Sequence, residues 1–228
     1  REIMKHHHAH LPNYGVLEVE LEQEEQDHLW KMVHKYAPES EWEGNRLISI
    51  KDINAKQWSL NDDGQVFANK VLMPLTREYM GTYGCPFKVK STYEHGLAFN
   101  RFWCRASQKG DYQSIHDHLS VFTFVVWLKI PFDGKKEAEE QAGFRPEASD
   151  FVLVYPDTCG QLMKKHYRLN PHMDGMMIFF PSDMNHLVYP HFTTDEWRIS
   201  IAGDIALNSD EITTQVNHEF PDPKIKNV

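Results

Sequence analysis

Two histidines one residue apart, His116 and His118, close the stretch Gln113-Ser114-Ile115-His116-Asp117-His118 and lead into the apolar run Val121-Phe122-Thr123-Phe124-Val125-Val126-Trp127-Leu128. On an extended chain, side chains two apart share a face, so both imidazoles can converge on one point while Asp117 turns away. Neutral imidazoles bind first-row metals, at about 2.0–2.1 Å in the zinc case, and two at this spacing make a chelate. His186, in the polar turn Pro181-Ser182-Asp183-Met184-Asn185-His186 between apolar segments, offers a third ligand. Three protein ligands leave coordination positions open for substrate. Further on, Arg198 and Ser200 share one face of the otherwise apolar Trp197-Arg198-Ile199-Ser200-Ile201. A buried arginine needs a partner, and a carboxylate held by both arms of the guanidinium suits it best.

Each residue also has a structural alternative. A histidine such as His118, taken alone, is more often a surface or hydrogen-bonded side chain than a ligand. Arg198 can be satisfied by an ion pair to Asp195, Glu196 or Asp204. Asp117 replaces His118 at the metal only if a bulge rotates it inward, and Asp183 is a more remote acid that could complete the site.

The elements that must position these residues read as follows. Residues 14–21 alternate apolar and acidic positions, the period of a strand with one wet face. Residues 23–37 place Leu29, Trp30, Val33 and Tyr36 at helical spacing, with carboxylates in the first turn and Pro38 as the stop. A short strand is expected over 44–50. A second apolar helical stripe over 65–83 is expected to kink or split at Pro74. From Gly96 onward the pattern changes to short strands at 97–107, 121–130, 151–155, 161–168, 176–180, 187–189 and 197–205, parted by turn residues. Seven such strands predict a sandwich or barrel with the helices buttressing one sheet. Residues 135–149 are charged and read as an exposed insertion, a lid or a hairpin tip.

The chain has 228 residues, a formal net charge of −9 and 41% hydrophobic content, enough apolar residues for one sizeable domain. Its acidity argues against a nucleic-acid groove. Cys85, Cys104 and Cys159 match neither a zinc knuckle nor a disulfide framework, which predicts a reducing, cytoplasmic setting in a cell or an infected host cell. No stretch has the roughly 20 apolar residues of a membrane span, and residues 1–11 lack a signal-peptide apolar region. The run His6-His7-His8-Ala9-His10 reads as a tail.

The order His-x-His (or His-x-acid at Asp117), then His186 after Phe-Pro-Ser, then Arg198-Ile199-Ser200, resembles the Fe(II)- and 2-oxoglutarate-dependent oxygenases over residues 97–207. Within that family the likeness is to prolyl-hydroxylase-like members, including those encoded by phages of marine cyanobacteria. The resemblance implies a mainly β (α+β) fold whose core is a double-stranded β-helix of the jelly-roll or cupin kind, with N-terminal buttressing helices. The divisions are then a tail at 1–13, a supporting region at 14–90, the catalytic core at 91–207 and an extension at 208–228. It implies Fe(II) held by His116, by His118 (Asp117 in its place as the alternative) and by His186. Arg198 and Ser200 would bind the distal carboxylate of 2-oxoglutarate. Asn100, Tyr155 and Lys129 are further candidates for contact with co-substrate or substrate, and Phe102, Trp103, Tyr112 and Gln113 lie close to the motif.

The implied reaction couples O2 and the decarboxylation of 2-oxoglutarate to succinate with hydroxylation of a C–H bond, on a peptidyl proline, an amino acid or another small molecule. The usual triad has two histidines and one carboxylate, and His118 departs from it. Two alternatives follow: a three-histidine, cupin-like dioxygenase without 2-oxoglutarate, and a non-catalytic β-sandwich binding or virion-associated module. Oligomeric state is not set by these residues.

Overall fold

The computed structural model describes residues 13–38, 56–86, 97–141 and 146–207, with the side chains of Lys56 and Asn100 outside that set. In chain order the elements are β1 (Leu17–Glu20), α1 (Gln23–Tyr36), β2 (Lys56–Ser59), α2 (Met73–Tyr83), β3 (Leu97–Ser107), β4 (Gln113–His116), β5 (Phe122–Lys129), α3 (Gly134–Glu140), β6 (Phe151–Pro156), β7 (Leu162–Tyr167), β8 (Met176–Pro181), β9 (Asn185–Val188) and β10 (Arg198–Leu207). Six strands form one sheet in the order β1-β8-β5-β10-β3-β2, and four form a second in the order β4-β9-β6-β7. All pairings are antiparallel. The two faced sheets, with helices behind the larger, form the double-stranded β-helix.

The strand β5 explains the layering. A strand buried on both faces must be apolar throughout rather than alternating, and the run from Phe122 is. Phe122, Phe124, Val126 and Leu128 pack with Leu29, Val33, Phe67, Leu72 and Tyr79 of the helical layer. Val125 and Trp127, on the other face, pack with Phe151, Leu153 and Phe180 between the sheets. Full burial of each such side chain stabilises by roughly 1.5–3 kcal/mol. The next strand in the sheet, β10, sends Ile199, Ile201 and Ile205 to the helical side and keeps polar residues for the other.

The helical expectations hold in outline. The first helix ends at Tyr36, just ahead of Pro38. The stripe over 65–83 splits as Pro74 requires: a π-helical stretch at Ala68–Leu72 hands over to α2, where Pro74 sits in the first turn and its missing N–H costs nothing. Tyr79 of α2 donates from its hydroxyl to the Gly15 carbonyl at 2.9 Å and ties the helix to the start of β1.

Three expectations need correction or fall outside. Eight strands run from β3 to β10 rather than seven, because Gln113–His116 is itself a strand; it stops at His116, so His118 lies in the following loop. Residues 135–149 do not form an exposed lid. Residues 134–140 are the helix α3, and Glu137 is fully buried, accepting from the backbone N–H groups of Phe192 (2.8 Å) and Thr193 (2.9 Å) and from the Thr193 hydroxyl. A buried carboxylate demands such donors, and the charge count of the segment concealed it. The strand expected at 44–50, the His-rich tail at 1–12, residues 142–145 and the extension at 208–228 lie outside the described residues.

All three cysteines are free, and burial pushes the Cys104 thiol up to about 12, which keeps it inert. Among the described residues no helix is long and apolar enough to cross a membrane.

Candidate metal centre and anion pocket

The inner face of β10 is the floor of the site. Side chains there recur every second residue, giving Arg198, Ser200, Ala202 and Asp204 in one row. Across the ladders Ser200 faces Arg105 and Trp127, Ala202 faces Trp103 and Val125, and Asp204 faces Arg101 and Thr123. Small residues occupy the middle of the row, and the space left open is a cavity of about 40 Å3. Its lining includes His116, His118 and His186 towards one end and Arg105, Arg198 and Ser200 towards the other.

The histidines arrive from two elements. His116 at the end of β4 is the register partner of His186 on β9, and their ring centroids lie 4.2 Å apart. That pairing depends on an irregularity in β4: three residue steps from Gln113 to His116 oppose two from Val188 to His186. The extra residue puts both Gln113 and His116 in the cavity lining, which a regular strand would forbid. Past β4, the backbone N–H of His118 donates to the Ser182 carbonyl at 2.8 Å, and its ring sits 5.1 Å from His186 and 5.4 Å from His116.

Each imidazole has an oxygen at Nδ1. For His116 it is the Ser114 carbonyl at 2.8 Å, for His118 the Asp204 carboxylate at 2.6 Å, and for His186 the Met184 carbonyl at 3.2 Å. Nδ1 is therefore the protonated nitrogen on every ring, and every Nε2 is left with its lone pair. The side-chain amide of Gln113 lies 3.0 Å from Nε2 of His116. One ligand atom from each of the three rings lies within 4.8 Å of the others. His186 is held neutral as well: burial first, then the two neighbouring imidazoles, depress it to about 3. Three imidazoles brought together in this way suit a divalent first-row ion, iron included, and leave positions open beside it.

At the other end Arg198 is 4% exposed, and its hydrogen bond to the Tyr189 carbonyl is a long one, 3.5 Å from Nη1. Burial and the nearby Arg105 guanidinium draw it down to about 10, still a cation at neutral pH. Among the described residues no carboxylate lies within ion-pair distance of Arg198. Asp204 is engaged by His118 and Arg101, and Glu196 pairs with Lys129 at 2.9 Å. Two cations beside the Ser200 hydroxyl make a pocket for an anion, with a carboxylate the natural bidentate ligand.

Several expected residues lie elsewhere. Asp117 is exposed and outside the imidazole cluster, since β4 ends before it, and Asp183 is exposed as well. Tyr155 lines a separate cavity with Tyr14, Glu18 and Lys165. It shares a strand with Phe151, which does line the site, but four residues carry it roughly 13 Å past. Lys129 points to Glu196 at the rim, Tyr112 is exposed, and the Asn100 side chain is not among the described residues. Phe102 is core, in contact with Phe99, Phe67 and Phe124.

Trp103, expected close to the motif, lines the cavity 5.6 Å from the His118 ring. Arg105 and the Asp204 contact to His118 lie beyond what the sequence reading singles out. The signal for both is alternation, through Arg101-x-Trp103-x-Arg105 on β3 and Arg198-x-Ser200-x-Ala202-x-Asp204 on β10.

Comparison with known proteins adds to this geometry. Residues 101–204 match the family described as "Putative 2OG-Fe(II) oxygenase". No curated protein matches the sequence. Among solved structures, a prolyl hydroxylase from Trichoplax adhaerens, in complex with a hypoxia inducible factor oxygen degradation domain peptide fragment, superposes with a TM-score of 0.51 at 14% identity, over 88% of this chain and 87% of that one. A Pseudomonas putida prolyl-4-hydroxylase gives 0.50 at 14% identity over 85% and 93%. HygX of Streptomyces hygroscopicus, with nickel, 2-oxoglutarate and hygromycin B bound, gives 0.50 at 10% identity over 85% and 83%. These likenesses show a common fold.

Proposed function

We propose that this chain, a 2OG-Fe(II) oxygenase over residues 101–204, hydroxylates a C–H bond of a prolyl peptide or an amino acid, with iron on His116, His118 and His186 and 2-oxoglutarate on Arg198 and Ser200. Bound Fe(II) supplies oxygen activation coupled to the decarboxylation of 2-oxoglutarate to succinate.

The observation that carries the assignment is that one ligand nitrogen from each of the three imidazoles lies within 4.8 Å of the others, in the lining of a cavity that also holds a buried arginine. The chain's own residues divide the remaining work. Arg198 and Ser200 anchor the far carboxylate and thereby aim the 2-oxo-acid end of the co-substrate at the histidines. Trp103, Val125, Trp127 and Phe151 wall the space between, which keeps water from the reacting atoms. A more open groove of about 500 Å3, lined by Gln57, Ser59, Arg101, Trp103 and Asp117, adjoins the same histidines. That groove is open to solvent along one side, which lets an extended substrate such as a peptide reach the histidines. The peptide complex of the Trichoplax neighbour is consistent with this.

The test is anaerobic addition of Fe(II) and 2-oxoglutarate. A weak visible charge-transfer band and a 2-oxoglutarate-dependent rise in melting temperature are expected. Absence of both rejects the assignment.

The three-imidazole set favours one second reading, a dioxygenase that needs no 2-oxoglutarate. Metal binding without any 2-oxoglutarate response would select it.

A further inference from the structure

If the three histidines are the metal ligands, the set lacks the carboxylate that would usually contribute a negative charge, and a buried carboxylate stands one bond behind it. Asp204 is fully buried on β10, and its Oδ1 accepts from His118 Nδ1 at 2.6 Å. A carboxylate in such a place costs several kcal/mol in desolvation unless it is matched by donors and charge. Its Oδ2 lies 2.8 Å from Arg101 Nη2, an ion-pair contact without hydrogen-bond alignment. Arg101 is more than half exposed, so this pair alone is weak recompense for the burial. Thr123 lies directly across the ladder from Asp204, donates to the Gly203 carbonyl at 3.0 Å, and places its hydroxyl 3.2 Å from the same Nδ1. The other two histidines have only backbone carbonyls in the equivalent position.

We infer that Asp204 is a positioning residue for the metal centre: it fixes the His118 ring and its tautomer, and delivers through that imidazole the negative charge absent from the ligand set. The inference rests on the metal-site assignment above. A carboxylate behind a ligating imidazole raises the basicity of the metal-facing nitrogen, and loss of such a partner typically costs 10–100-fold in metal affinity. The position of Asp204 also gives a reason why a histidine serves at 118. An aspartate there would bring two carboxylates together and lose the hydrogen bond.

The experiment uses the full chain with His6, His7, His8 and His10 replaced by alanine, so that tail imidazoles do not compete, and titrates Co(II) alone by its visible absorption. Asp204→Asn and Asp204→Ser are compared; Asn keeps shape, Ser leaves room for a water, and a thermal melt of the metal-free protein shows that each is folded. The expected result is a 10–100-fold weaker Kd with altered absorption for each. The same change made in a His118→Asp background should leave the Kd unchanged or tighten it, because the second carboxylate there opposes the first. A merely structural role would weaken binding equally in both backgrounds, and that outcome overturns the inference, as does a Kd within threefold of the parent. A parent that binds no Co(II), or whose binding survives His186→Ala, removes the metal centre itself, a different failure from that of Asp204 alone.

Discussion

His116 and His186 face each other across the β4–β9 ladder with ring centroids 4.2 Å apart, a register that exists because β4 carries one residue too many between Gln113 and His116. Removing that residue, by deleting Ile115, should give a regular ladder in which Gln113 and His116 are two steps apart and still on the face of His186. Metal binding is expected to survive that deletion and to be lost in His116→Ala, with little change in the melting temperature of the metal-free protein. Co(II) or Fe(II) titration checks it.

Arg198→Ala should abolish the 2-oxoglutarate-dependent thermal shift and leave metal affinity within about threefold. The loss of a desolvated, bidentate charge pair is worth about 2–5 kcal/mol, or at least 30-fold in co-substrate affinity. Arg198→Lys should recover a fraction of it, since an ammonium keeps the charge and forfeits the fork. An unchanged thermal shift in the alanine variant would return Arg198 to a structural role.

Much of this is legible in the residues themselves. Strands buried on both faces announce themselves as unbroken apolar runs, so β5 and β8 can be read directly, and a polar pair in such a run, Arg198 and Ser200, stands out as functional. Two kinds of information are not in the local pattern. One is irregular backbone: the bulge in β4 and the loop around His118 undo the simple alternation argument, although the imidazoles still meet. The other is long-range pairing. Asp204 finds His118 across 86 residues, and Glu137 finds Thr193 across 56, and no periodicity in either segment points to the other.

Glu137 provides a test of that second kind. Replacing it by alanine removes the acceptor of two backbone N–H groups just ahead of β10 and leaves a cavity where the carboxylate was buried, and a loss of about 2 kcal/mol in urea unfolding is expected. Glu137→Gln should lose less, because one side-chain oxygen remains to accept.

The pH dependence of folding should carry the mark of His191. This ring is fully buried, stacked on Phe132 at 4.8 Å, and its burial, with the Arg198 guanidinium next in effect, depresses it from 6.5 to about 4. The unfolded chain takes up the proton first as pH falls, so the contribution is whole above about pH 6.5 and is lost progressively down to about pH 4. The loss amounts to about 3 kcal/mol. His191→Phe, which preserves the stack, should flatten that part of the stability curve of the metal-free protein.

The inner row of β10 has one more consequence. Arg198 and Asp204 are six steps apart on one strand that is paired to β3 throughout that span, roughly 20 Å along the backbone. Under the proposed assignment one end would anchor the far carboxylate of the co-substrate and the other would steady a metal ligand, so the strand would serve as a gauge whose length neither loop movement nor side-chain rotation can change. Choice among 2-oxo diacids then becomes a measurement of length, and the homologue longer by one methylene should bind worse because it must buckle to fit between the two ends.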